Sequence, residues 1–180
     1  MALKATIFKV DLSISDLDRH YYADHQLTIA RHPSENDQRM MLRLLAFALN
    51  AHEQLSFTKG LSEDEEPDLW QKNYSGEIEL WIELGQPSEQ RIKKGCNQAK
   101  QMFIYSYQNN AFTTWFKKEK NSLAQRKNLK IFTLAENLGE QLANLVDRQM
   151  TIQCIIEDGQ AWFNLAGQNI EVSTIAHDFV

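Results

Sequence analysis

The residues best suited to chemistry lie between Pro67 and Lys94, in the stretch PDLWQKNYSGEIELWIELGQPSEQRIKK. A Pro67-Asp68 pair precedes a turn at Asn73-Tyr74-Ser75-Gly76, and GEIELWIEL at 76–84 follows with the alternation of a strand. Ile78, Leu80, Ile82 and Leu84 take one face of that strand, so Glu77, Glu79, Trp81 and Glu83 share the other. Two converging carboxylates can hold Mg²⁺, and a nearby lysine can orient water and balance the charge that develops as a phosphodiester is cut. Glu79 and Glu83 stand four residues apart on one strand, about 13 Å at about 3.3 Å per residue, too far to share one ion. Asp68 can lie opposite Glu83 across the turn, so these two are the preferred pair and Glu79 the reserve.

An acid-x-lysine arrangement would put the lysine two positions after Glu83, where this chain has Gly85. The donor must then come from the helix that follows. With Ile92, Cys96 and Ala99 as its buried direction, Lys93 lies roughly 100° round and flanks the packed side, whereas Lys94 at roughly 200° faces solvent. Lys93 is therefore the better candidate, and Lys100 shares its flank. On an earlier helix Glu35, Arg39 and Arg43 recur at i, i+4 along the edge of the apolar face, where Glu35 can complete a metal site or belong to an ion-paired ladder. Glu77, Glu79 and Glu83 around Trp81 also call for cations, which a metal ion, Lys93 or Arg91 can supply. Each of these residues has a purely structural reading as well: Asp68 as a cap of the turn, the glutamates as solvated strand residues, Lys93 as helix surface.

The elements that must position these groups are legible from periodicity. Residues 5–14 alternate, with Phe8, Val10, Leu12 and Ile14 opposed by Lys9, Asp11 and Ser13, and Tyr22 to Ile29 repeats the texture; the two predict a hairpin turning near Ser15 to Arg19. HPSENDQRMMLRLLAFALNAH predicts a helix with Pro33 in its first turn, Ser34 and Asp37 as a capping pair, and Met40, Met41, Leu44, Leu45, Ala48 and Leu49 in the core. LSFTKGL at 55–61 predicts a short strand before the acidic loop SEDEEPD. Beyond Ser88 come a helix, a buried strand in QMFIYSY at 101–107, a helix containing Trp115, a strand in LKIFTL at 129–134, and a helix in AENLGEQLANLVDR. MTIQCIIEDGQAWFNL then predicts a hairpin turning at Asp158-Gly159. The pattern is that of an α/β domain with a mixed sheet, without internal repeat, low-complexity tract or linker.

At 180 residues with 43% hydrophobic side chains, the chain is expected to form one domain spanning 1–180. No run approaches 18 apolar residues and the first residues alternate, so neither a membrane span nor a secretory leader is expected. Cys96 and Cys154 lack histidines at metal-ligand spacing and read as buried free thiols of a reducing cytoplasm, with no zinc site. The net charge of −5 hides an uneven distribution. Residues 91–130 carry ten lysines and arginines against Glu119 alone, a net +9, leaving −14 for the remainder. Such a basic segment can track phosphates, while the acidic remainder opposes indiscriminate coating of nucleic acid; the alternative is a solvated pair of helices.

A helix with Glu35, a strand, Pro-Asp, a strand ending in an acid, a basic helix and a buried strand is the order of parts in the restriction-endonuclease-like core. RHPSENDQRMMLRLLAF, LSFTKGL, DEEPDLW and ELWIELGQPSEQRIKKGCNQA together resemble the YaeQ family of small bacterial proteins, essentially end to end. The resemblance implies a variant PD-(D/E)xK fold, a mixed central sheet flanked by helices, to which the N- and C-terminal β-hairpins would be additions. It further implies Glu35 as the helix acid, Asp68 or Glu79 as the first metal carboxylate, Glu83 as the motif glutamate, and Lys93 or Lys94 as a migrated lysine, with Gly85 the departure from the parent pattern. The function expected is Mg²⁺-dependent phosphodiester hydrolysis on DNA or RNA. The alternatives are a non-catalytic nucleic-acid or transcription accessory factor that uses the basic 91–130 surface, and a protein-binding module that uses the acidic loop from Glu63 to Asp68.

Overall fold

The computed structural model describes residues 3–59, 61 and 64–179. In chain order these form β1 (Thr6–Asp16), β2 (Tyr21–Arg31), α1 (Asp37–Leu49), β3 (Leu55–Phe57), β4 (Leu69–Lys72), β5 (Ile78–Leu84), α2 (Glu89–Gln98), β6 (Ala99–Ser106), α3 (Asn109–Leu123), β7 (Leu129–Leu134), α4 (Leu138–Ala143), β8 (Gln149–Glu157), β9 (Gln160–Leu165), β10 (Gln168–Val172) and β11 (Thr174–His177). The result is a mixed α/β fold with two mixed sheets, divided into two compact units: Met1–His52 with Asn137–Ser173, and Glu53–Glu136 with Thr174–Val180. No helix among the described residues is long and apolar enough to cross a membrane.

The first unit holds a five-stranded sheet in the order β10-β9-β8-β1-β2. Phe8, Val10, Leu12 and Ile14 of β1 are buried while Lys9, Asp11 and Ser13 are exposed, which pins the β1–β2 register because a one-residue slip would turn the whole apolar set outward. Both terminal hairpins form, but they are not separate additions to a central sheet. β1 pairs in parallel with β8 from Lys9↔Gln149 to Asp16↔Ile156, so each hairpin satisfies the open edge of the other. The second hairpin turns at Asp158-Gly159, both at positive φ as a two-residue turn requires, and continues into β10, an additional strand that the periodicity did not indicate.

Helix α1 starts later than expected. Asn36 is its N-cap, accepting the Arg39 N–H at 2.8 Å, whereas the Ser34 hydroxyl is engaged by the His32 ring and Pro33 lies in the turn before the helix. Met40, Met41, Leu44, Leu45 and Ala48 are fully buried, as their spacing implied. The helix expected over AENLGEQLANLVDR is confined to α4, which packs against α1 where Gly139 meets Leu42.

The second unit holds a six-stranded sheet in the order β11-β7-β6-β5-β4-β3. β3, β4 and β5 form an antiparallel meander, and α2 and α3 make the crossovers of the parallel pairs β5–β6 and β6–β7. The strand expected over 55–61 is limited to Leu55–Phe57; Gly60 of that segment, and Ser62 and Glu63 of the acidic loop, lie outside the described residues. Trp81, Ile92, Cys96, Met102, Ile104, Phe112, Leu123, Leu129 and Ile131 form the core under the two helices. β11 closes the far edge, its His177 ring 4.7 Å from that of Phe112 and hydrogen-bonded to the Thr133 hydroxyl at 2.8 Å.

The tightest approach in this core is at Gly95 of α2, where an added Cβ would meet Met102 Sδ at 2.6 Å and Trp81 Nε1 at 3.0 Å. Gly95→Val should cost about 1–3 kcal/mol through overpacking and lower the midpoint of chemical denaturation. The same change at Gly159, with nothing within 4 Å, tests backbone strain alone.

Candidate functional site

Asp68 and Glu83 meet at the open end of the β4–β5 hairpin, away from its turn. The ladder pairs Leu69 with Ile82, and just beyond it the Asp68 N–H donates to the Ile82 carbonyl at 3.1 Å, so that Asp68, whose carboxylate is bonded to the Leu84 N–H, is held beside Glu83 by the two residues that flank it. Both side chains are buried. Asp68 Oδ2 accepts the Leu84 N–H at 2.8 Å. Glu83 Oε1 accepts from Trp81 Nε1 at 2.9 Å and from Arg91 Nε at 2.8 Å. Loss of water and the neighbouring Asp68 carboxylate push the Glu83 carboxyl up from 4.5 to about 7, against the opposing pull of Arg91 and Trp81.

Arg91 reaches Glu83 because Ser88 caps α2 by accepting the Arg91 N–H, which sets residue 91 in the first turn. Its guanidinium then spans three partners: Glu83, the Asp64 carbonyl at 2.9 Å and the Glu66 carbonyl at 2.5 Å. Lys94 pairs with Glu65 of the same loop. A cleft of about 410 Å³ opens here, lined by Asp64, Glu65, Ser88, Gln90, Arg91 and Lys94. Deeper in the fold the Gln86 amide donates to the hydroxyl of the fully buried Ser106 at 2.5 Å.

The other expected residues go elsewhere. Glu79 sits toward the opposite end of β5, bonded to Lys100 Nζ at 2.6 Å and Asn73 Nδ2 at 2.9 Å, and Lys100 holds its carboxyl below the usual glutamate range. Lys93 is exposed and makes no ion pair among the described residues, whereas Lys94 is the more covered of the two, reversing their expected order. The reason is the loop: residues 64–66 fold over the Lys94 flank of α2, drawn there by Arg91. Glu35 belongs to the first unit, just before the α1 cap, with Oε1 bonded to Arg39 and Arg43 and Oε2 to Arg43 at 2.8 Å. Its ion-paired ladder reading is the one that the bonding bears out. Gly85 has φ +90, a backbone that strains any side chain, so a lysine two positions after Glu83 is sterically disfavoured as well as absent. The contribution that spacing undervalued is Arg91. Its signal is Gly95 one turn later on the same flank, a gap that lets α2 approach Trp81 and Glu83.

Cys96 and Cys154 are free and buried, and burial together with Asp16 pushes the Cys154 thiol up to about 12, which makes it a poor nucleophile. The described residues hold no group of three or more histidine, cysteine or acidic side chains placed to bind a metal.

Because the folded carboxyl of Glu83 binds its proton more tightly than an unfolded glutamate, its contribution to stability is full below about pH 4.5 and is lost as pH rises through about 7. Between those limits the wild-type protein should lose roughly 3 kcal/mol relative to Glu83→Gln, which lacks the titration; denaturant unfolding of both proteins at pH 5 and pH 8 measures it.

The sequence matches the family described as YaeQ protein over residues 1–174. It is 46% identical to the uncharacterized protein YaeQ of Salmonella typhi and 44% identical to that of Escherichia coli (strain K12), each over 98% of this chain and 97% of the relative. The fold is similar to the crystal structure of the YaeQ protein from Xanthomonas axonopodis pv. citri, with a TM-score of 0.91, 43% identity and coverage of 96% of this chain and 97% of that one. The YaeQ protein from Pseudomonas syringae gives the same TM-score of 0.91 at 32% identity, covering 96% and 95%. The chain therefore belongs to the YaeQ family.

Proposed function

We propose that this chain is a nuclease-like protein that acts on DNA or RNA through the Asp68–Glu83 carboxylate pair, with Mg²⁺ as the ion the pair would hold. The observation that carries this reading is the closeness of two buried acids at the open end of the β4–β5 hairpin, where burial, and after it the Asp68 charge, raise the Glu83 carboxyl to about 7. Two acids side by side are a set of hard oxygen donors of the kind that a divalent cation takes, and Arg91 adds a fixed positive charge at Glu83. When bound, such an ion polarises a phosphoryl oxygen and makes its water more acidic. The chain's own groups do the positioning: the Leu84 N–H orients Asp68, and the Trp81 indole orients Glu83. Arg91 offers a fixed charge toward a phosphate but no proton exchange, since a guanidinium stays protonated.

The hairpin followed by a crossover helix and a parallel strand, β4-β5-α2-β6, supports a PD-(D/E)xK-type core, with Arg91 from α2 in the part of the displaced lysine. Lys93, Lys117, Lys120 and Lys127 are exposed without an ion pair among the described residues, which supports contact with a phosphate backbone. A second reading, a non-catalytic nucleic-acid accessory factor, is favoured by one observation: Lys94 is held by Glu65 and Lys93 faces solvent, so neither lysine joins Glu83.

Calorimetry with Mg²⁺ and Mn²⁺ tests the proposal. The wild-type protein should bind either ion more tightly at pH 8 than at pH 6, because the ligand must be ionised, and Glu83→Ala and Asp68→Asn should each abolish binding. Metal-dependent cleavage in a screen of DNA and RNA structures should accompany it. Nucleic-acid binding that survives both substitutions without metal uptake would favour the accessory reading, and neither binding nor cleavage would overturn both.

A further inference from the structure

β2 (Tyr21–Arg31) is the outer strand of the five-stranded sheet, and among the described residues its far edge pairs with no other strand. The ladder determines which backbone groups it presents. The Lys9 and Leu17 N–H groups donate to the carbonyls of Arg148 and Ile156, so odd residues in this part of the chain face β8 and the even residues of β1 face β2. Phe8, Val10, Leu12 and Ile14 therefore exchange hydrogen bonds with Ile29, Leu27, His25 and Ala23, and the even residues of β2 turn their N–H and C=O groups outward. Ala30 bears this out, its carbonyl accepting from Arg43 Nη2 at 3.0 Å, which closes that end of the edge.

Tyr22, Asp24, Gln26 and Thr28 remain. All four are exposed, and their outward backbone groups have no partner among the described residues. Their side chains are on the sheet face instead, where Asp24 accepts from the Ser13 hydroxyl and Thr28 from the Lys9 ammonium. The strand contains neither proline nor lysine, the usual guards against edge pairing.

We propose that a second copy of this chain pairs on this edge, β2 against β2, antiparallel about a two-fold axis at His25. In that register Tyr22 of one copy faces Thr28 of the other and Asp24 faces Gln26, so the four open residues of each copy meet the four of its mate, and Ala30 is left to Arg43. An axis at Asp24 would set that carboxylate against its own copy, and an axis at Gln26 would require the Ala30 carbonyl that Arg43 already holds. Any axis between residues would set even against odd, pairing outward groups with inward ones. The side-chain pattern agrees: Tyr21, Ala23, His25 and Leu27 are half-buried on the inner face, where His25 packs 5.3 Å from Phe47, and the mate strand covers that face further with the same four residues. The polar even residues stay on the solvent face. The two sheets thus continue into one across an isologous interface.

The two-fold sets His25 opposite its own copy at a non-hydrogen-bonded position, where Cα atoms stand about 4.5 Å apart, within disulfide range. His25→Cys should form an interchain disulfide under mild oxidation, and Asp24→Cys should not, with buried Cys96 and Cys154 staying silent. Sedimentation equilibrium should show a dimer. Hydrogen exchange should slow at Tyr22, Asp24, Gln26 and Thr28 as protein concentration rises. Gln26→Pro removes one outward N–H while sparing the β1 ladder, so it should give a folded monomer. A monomer throughout the concentration range with free exchange at these amides overturns the proposal. So does a dimer that survives Gln26→Pro and fails to cross-link at position 25, or protection that appears only when a different polypeptide is added.

Discussion

Glu83 shares the buried face of β5 with Trp81, and the two side chains impose opposite demands on the helix above them. Trp81 needs room, which Gly95 provides; Glu83 needs charge, which Arg91 provides. The spacing matches because four helical residues advance about 6 Å and two strand residues about 6.6 Å, so the i, i+4 pair of α2 lies over the i, i+2 pair of β5. Once Arg91 is committed to Glu83, its remaining donors collect the carbonyls of Asp64 and Glu66, and the acidic loop is drawn onto α2. The position of that loop, the covering of Lys94 and the shape of the cleft all follow from satisfying one buried carboxylate.

The same logic sorts the charges of the basic segment. Arg91, Lys94 and Lys100 are absorbed by acids or carbonyls of the second unit, while Lys93, Lys117, Lys120 and Lys127 stay in solvent. A net charge read along the chain therefore overstates the basic surface, because part of it neutralises neighbours that are distant in sequence. In the first unit Glu35 shows the opposite case. Its partners Arg39 and Arg43 lie four and eight residues away on the adjoining helix, and the pairs form although Glu35 itself precedes the cap of that helix.

Much of the secondary structure was legible where a buried face repeats with a clear period. The hairpin of β1 and β2 and the core stripe of α1 carry such a face, while β5 and β6, buried on both faces over consecutive residues, were legible from their apolar residues. What escaped was short or dependent on distant partners. β10 is five residues long and owes its existence to pairing with β9, and α4 keeps only the part of its segment that packs on α1. The cap of α1 lies at Asn36 because the His32 ring engages the hydroxyl of Ser34, the residue expected to cap it.

The candidate site divides along the same line. The sequence by itself determined that Asp68 and Glu83 could be opposed, since strand period and turn length decide which side chains face one another across a hairpin. It also determined that no lysine follows Glu83 at the second position. Only the tertiary structure decided that Arg91 would answer Glu83, that Lys94 would be turned to Glu65, and that the two terminal hairpins would share a sheet. Those outcomes depend on which distant groups meet as water is excluded. A pairing of charges or strand edges remote along the chain leaves no periodic trace in either partner.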